Sequence, residues 1–302
     1  MLFSTVKSFG RFATRGVLFR AKGNAQDYYN YIGDDLVEGM HEGFVDPNKP
    51  LWLNLGYWER AQTYPQACEA MAELLGDAAQ LNPDDRQLDV GFGFAEQDIY
   101  WVKKYNVGHI TGLNITAMQV ERARQRVRER GLEHRITLGV GSATSVPFDN
   151  ESFTKVTALE CAFHFMKREQ IFHEAFRVLK PGGRLAIADG AGPEGNPPPT
   201  LRARMYMHYH SAPMVNLYDI AEYERILKNI GFVNFQCRTI EREVYPAHNA
   251  YTMLRIAGRT VENAVIPQLT DEYKDRILKR WGKYGFTRYV IISADKPAVA
   301  AE

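Results

Sequence analysis

LDVGFGFAEQD, residues 88–98, reads as a buried strand that runs into a glycine turn and then into a helix. Gly91 and Gly93 carry no side chain, so the loop lets backbone N–H groups approach a bound ligand closely. Strand, glycine turn and helix in that order open a βαβ unit, and such a unit predicts a parallel sheet that gathers ligands at its strand ends.

Outward from this loop, short β-rich runs alternate with helical stretches. The runs predict seven strands, over 87–92, 109–115, 135–141, 153–160, 184–190, 232–240 and 288–295. The expected fold is therefore α/β: a Rossmann-like, seven-stranded, mostly parallel sheet with helices on both faces. After the second strand, TAMQVERARQRVRER (116–130) offers Thr116 as an N-cap with Gln119 three positions on, the spacing of a capping box. Its arginines at 122, 124, 126, 128 and 130 scatter round the helix and read as a solvated face. LKPGG (179–183) stops the next helix, because Pro181 cannot continue it. Residues 1–60 are expected to form an N-terminal helical cap segment and 61–302 the main domain, with lid insertions over 191–228 and 249–283.

Composition narrows the partners. Across 302 residues, 37 Lys and Arg oppose 36 Asp and Glu, so no net field steers nucleic acid, and a small apolar substrate suits the chain better. Cys68, Cys161 and Cys237 are far apart with no CxxC pair, which indicates neither a disulfide framework nor a zinc site, and a cytoplasmic location is expected. His208 and His210 lack an apparent third ligand, so no metal is expected. No apolar run is long enough to span a bilayer. Residues 1–22 hold five basic and no acidic residues, with Lys7, Arg11, Arg15 and Lys22 on one helical face. That pattern suits a helix folded over its own domain and leaves peripheral membrane contact, or a transit peptide, open. Oligomerisation is left open as well.

The glycine loop must choose its cofactor. A dinucleotide site needs a third small residue where Glu96 stands, and a carboxylate there is expected to repel a diphosphate. S-adenosylmethionine has no phosphate and carries a sulfonium and an ammonium, which Asp89 tolerates. About 20 residues beyond the glycines, Asn114 ends the second strand where ribose hydroxyls bind. Ser142 and Ala143, in GSATSVPFDNESF (141–153), offer edge contacts to an adenine ring.

Glu160, Cys161 and His164 follow the fourth strand and Asp189 ends the fifth, so all four are expected to border the reaction space. A neutral imidazole near its own pKa suits proton removal from a hydroxyl, which makes His164 the candidate base and Asp189 its orienting partner. Cys161 as a thiol nucleophile lacks an oxyanion loop.

Together LDVGFGFAEQD, ITGLNIT (110–116), GSATSVPFDNESF, ALECAFHF (158–165) and LKPGGRLAIAD (179–189) resemble the class I methyltransferases of natural-product tailoring, in particular erythromycin-type O-methyltransferases of macrolide sugars. LNLGYWE (53–59) resembles them too. The resemblance implies cofactor contact at Asp89, Gly91, Gly93 and Gln97, with Gln119 at the ribose and Tyr57 or Trp58 closing over the methionine end. It also matches His164 and Asp189 to the base and its partner. Asn114 and Ser142 depart from the acidic residues usual at their positions. The implied reaction is methylation of a hydroxyl on an apolar natural product, glycoside or lipid-like molecule. The rivals are C-methylation of a prenyl, lipid or quinone-type substrate, with Glu160 stabilising a cation, and a non-catalytic or NAD-binding Rossmann module.

Overall fold

The computed structural model describes residues 49–209, 212–256 and 264–298. The expected helix within residues 1–22, most of the 1–60 cap and His210 lie outside the described residues.

Seven strands form one sheet: β1 (Arg86–Val90), β2 (His109–Asn114), β3 (Ile136–Val140), β4 (Phe153–Leu159), β5 (Leu179–Ala191), β6 (Val233–Thr239) and β7 (Arg288–Asp295), in the spatial order β3-β2-β1-β4-β5-β7-β6. β1 pairs in parallel with β2 and β4, while β7 runs antiparallel between β5 and β6. The helices are α1 (Tyr64–Ala79), α2 (Glu96–Tyr105), α3 (Ala117–Glu129), α4 (Arg168–Val178), α5 (Leu201–Tyr209), α6 (Ile220–Ile230), α7 (Glu241–Ile256) and α8 (Asp271–Trp281).

Alternation along the strands builds two cores, one per face of the sheet. On β7, Tyr289 and Ile291 join the core that holds Met71, Trp101 and Tyr245, while Val290 and Ile292 join the one that holds Phe172 and Tyr223. Strand order reverses beside β1, which has β2 on one side and β4 on the other. That switch point leaves a crevice at the carboxyl ends of the strands.

Two local expectations change. LKPGG does end α4, yet Leu179 already pairs with Phe153, and Pro181 to Gly183 form an irregularity inside β5 before Arg184 resumes the register opposite Lys155. The segment expected as a lid over 191–228 contains α6, which packs on α4 and β6 as an ordinary crossover helix, with Asp219 capping it and Gly231 ending it.

No helix among the described residues is long and apolar enough to cross a membrane.

Candidate active site

A cavity of about 760 Å3 opens along the carboxyl ends of β1, β2, β4 and β5. Gly91 and Gly93 form its floor at the start of α2 with φ of +72° and +57°, a region that favours glycine. A Cβ on Gly91 would sit 2.5 Å from Cβ of Cys161, and one on Gly93 would meet Leu53 at 3.0 Å. The loop is thus kept bare by packing on both sides, and a ligand can lie against its backbone. Cys161 serves that packing: its thiol is buried, donates to Val90 O at 3.0 Å, and is pushed up in pKa by burial.

Asp89 does not face the cavity. It is fully buried, accepts from Thr157 Oγ1 at 2.6 Å and from Gln97 Nε2 at 3.1 Å, and so orients the Gln97 amide, which does line the cavity. Asn114 and Gln119 line it together, with Asn114 Nδ2 donating to Gln119 Oε1 at 2.9 Å. Gln119 therefore does not cap α3 as its spacing suggested; Thr116 makes no side-chain cap bond. Instead, the bond between the two amides fixes which way Asn114 presents its oxygen and nitrogen. Ser142 and Ala143 lie at the same end, where the Ser142 hydroxyl bonds that of Thr144 at 2.8 Å.

Glu96 corrects the cofactor argument. Its carboxylate turns away from the cavity and pairs with Arg126 at 2.5 Å, both side chains buried, so it cannot repel a diphosphate. The same pair removes Arg126 from the supposed solvated face of α3. Tyr57 and Trp58 are corrected as well, because neither lines the cavity. The Tyr57 hydroxyl donates to Glu59 and accepts from Arg238, each at 2.6 Å, and the Trp58 indole donates to Leu55 O at 2.9 Å. Their neighbours Leu53, Asn54 and Leu55 occupy the cavity wall instead.

On the β4 side, Glu160 and His164 both line the cavity. His164 ends a 3₁₀ turn, Ala162–His164. Asn216 clamps this turn, donating to Phe163 O at 3.1 Å and Phe165 O at 2.6 Å and accepting from Arg168 N at 2.8 Å. Asp189, expected to orient the imidazole, is taken up elsewhere. It accepts from the Gly190 amide at 2.8 Å and pairs with fully buried Arg168 at 3.3 Å, while Arg168 lies over the rings of Tyr218 and Tyr223. Burial lifts Asp189 to about 6 against the pull of Arg168. Through Arg168, whose amide donates to Asn216, Asp189 is tied to the residue that clamps the turn.

Glu160 accepts from the Leu55 amide at 2.9 Å and from the Tyr289 hydroxyl, and burial pushes it up to about 7. The far wall is aromatic. Tyr206, Tyr245, Trp281, Phe286 and Tyr289 come from α5, α7, α8, the segment before β7, and β7 itself, and no periodicity in the sequence marked them.

Residues 88–187 match the family model described as a methyltransferase domain. The chain is 30% identical to erythromycin 3''-O-methyltransferase of Saccharopolyspora erythraea over 92% of either chain. It belongs to the S-adenosylmethionine-dependent methyltransferases. Among solved structures, the fold is similar to the (4+2)-cyclase SpnF, with a TM-score of 0.70 and 22% identity over 91% of this chain and 98% of that one. It is also similar to geranyl diphosphate C-methyltransferase of Streptomyces coelicolor A3(2), bound to Mg2+, geranyl diphosphate and S-adenosyl-L-homocysteine, with a TM-score of 0.67 and 19% identity over 90% and 97%. In this methyltransferase the bare glycine floor, the Gln97 amide held by Asp89 and the linked amides of Asn114 and Gln119 fit S-adenosylmethionine, since they offer backbone and uncharged polar groups to it.

Proposed function

We propose that this methyltransferase modifies a hydroxyl of an apolar small molecule of natural-product type, with His164 as the general base. The observation that carries this reading is a single continuous cavity: His164 sits on its clamped turn between the glycine floor and the aromatic wall. S-adenosylmethionine supplies an electrophilic methyl group on a sulfonium. Gly91, Gly93, Gln97, Asn114 and Gln119 hold the cofactor, with Asp89 keeping Gln97 in place. The aromatic wall takes the apolar acceptor, excludes water and aligns the hydroxyl, which supplies most of the rate. His164 takes the hydroxyl proton as oxygen attacks.

Among the described residues lining the cavity there is no lysine or arginine, which disfavours an acceptor that carries a diphosphate. C-methylation remains the second reading, because Glu160 stands in the cavity where a carbocation would need it.

The test couples S-adenosylhomocysteine release to a panel of hydroxylated polyketides and glycosides, followed by mapping of the new methyl group. His164→Ala is expected to lower kcat by about a hundredfold or more while S-adenosylhomocysteine binding stays within about threefold. Full turnover in that variant removes the base assignment, and a methyl group on carbon replaces the first reading with the second.

A further inference from the structure

Glu160 is a partly buried carboxylate of unusual standing. Its backbone holds φ at +52°, a left-handed conformation that is unfavourable for a residue with a side chain and persists where surrounding structure imposes it. None of the ion pairs among the described residues includes Glu160. Glu96 and Asp189, both more deeply buried, face Arg126 and Arg168. Among the described residues Glu160 has only neutral donors, the Leu55 amide and the Tyr289 hydroxyl, and it is the one carboxylate among those that line the cavity. A charge partly withdrawn from water without a counter-charge is costly, and it is relieved by a proton or by a cation brought in with a ligand.

The rings around it supply the other half of a cation site. Tyr245 stands edge-on to Tyr289 with centroids 5.9 Å apart, and it stacks on Trp281 at 4.5 Å. Tyr206 meets Trp281 edge-on at 6.0 Å. Aromatic faces beside a carboxylate attract alkylated ammonium groups, whose charge is spread over methyl groups that rings desolvate cheaply. The Tyr289 hydroxyl draws the carboxylate toward this wall. In the sheet, β7 is separated from the glycine-bearing β1 by β4 and β5.

We propose that Glu160, Tyr289, Tyr245 and Trp281 form a subsite for an alkylammonium group carried by the acceptor. This rests on the hydroxyl-transfer reading for where the acceptor lies, and it names the substrate class: an apolar molecule with a secondary or tertiary amine beside the hydroxyl that is methylated. The cofactor also carries cations, so the shared chemistry is an onium centre and the experiment separates its two sources.

The probes are choline and its uncharged isostere 3,3-dimethylbutan-1-ol, titrated calorimetrically into full-length protein saturated with S-adenosylhomocysteine. Choline is expected to bind about tenfold more tightly than the isostere. Glu160→Gln removes that preference and leaves S-adenosylhomocysteine affinity within about threefold, which also shows that the variant folds. Tyr289→Phe, which keeps the ring and loses the hydroxyl, gives an intermediate preference. Equal binding of the two probes by the unmodified protein, or binding of neither, overturns the subsite. So does a Glu160→Gln variant that loses S-adenosylhomocysteine but keeps its choline preference, since the carboxylate then serves the cofactor's ammonium. The hydroxyl-transfer reading fails separately, by a methyl group mapped to carbon or nitrogen, whatever the probes show.

Discussion

The two halves of the cavity are made in different ways. The half proposed for the cofactor comes from loops at the ends of neighbouring strands β1, β2 and β3, and each contributes a few residues next to its own strand. Its contacts are bare backbone and amides. The half proposed for the acceptor gathers rings from α5, α7, α8, the segment before β7, and β7 itself, spread over residues 206–289. The first half follows directly from the sheet it ends, whereas the second depends on helices packed against one another. Changes in one half should therefore be read by cofactor affinity and changes in the other by acceptor KM.

Gly91→Ala tests the first half most severely. The new Cβ meets Cys161 at 2.5 Å while the backbone holds φ of +72°, so both strain and overpacking apply. A loss of about 2–4 kcal/mol in stability is expected, together with S-adenosylhomocysteine binding weakened by about a hundredfold or more. Calorimetry and thermal melting read both. Adding Cys161→Gly should recover part of the loss; no recovery would mean that the glycine is needed for the ligand alone.

Trp281→Ala tests the second half with a smaller effect. Losing the stack on Tyr245 should raise acceptor KM about tenfold and leave S-adenosylhomocysteine affinity within about twofold. A variant in which both constants change equally would show that the halves are coupled, and the comparison would fail.

The contrast also explains what the sequence disclosed. Strands such as 288–295 were legible to the residue, because buried β-rich runs bounded by turns have few alternatives. That Gly91, Gly93, Gln97, Asn114 and Ser142 share one cavity was legible for the same reason, since they stand beside strands already found. Partnerships between distant residues were not. Arg126 looked like one of several solvated arginines until Glu96, thirty residues earlier, took it as a counter-ion. Asp189 looked like a partner for His164 until Arg168 claimed it. Tyr57 and Trp58 looked like a ligand lid because aromatics at a motif invite that reading, yet the indole serves Leu55 and the phenol bridges Glu59 and Arg238. The aromatic wall had no local signal, since its members share neither a helix face nor a strand.

A last, smaller effect probes the base of the cofactor half, where Asp98 of α2 is buried against Asp89. Burial raises the pKa of Asp98 well above the ordinary carboxylate range, and the charge of Asp89 raises it further. Asp89 is raised as well, by burial, against the bonds from Thr157 and Gln97. The native pair therefore keeps a proton that the unfolded chain releases at the ordinary carboxylate pKa. Stability contributed by that proton is complete in acid, below the unfolded pKa, and is lost as pH rises through the raised native values. Asp98→Asn keeps the shape and a donor toward Asp89 while removing one titration. Its melting temperature is expected to match the parent near pH 4 and to exceed it by about 2–4 °C at pH 8. A variant that melts lower at pH 8, with the gap closing in acid, would mean that the second carboxylate is needed in its charged form beneath the glycine loop, and the shared proton would be the wrong account of that pair.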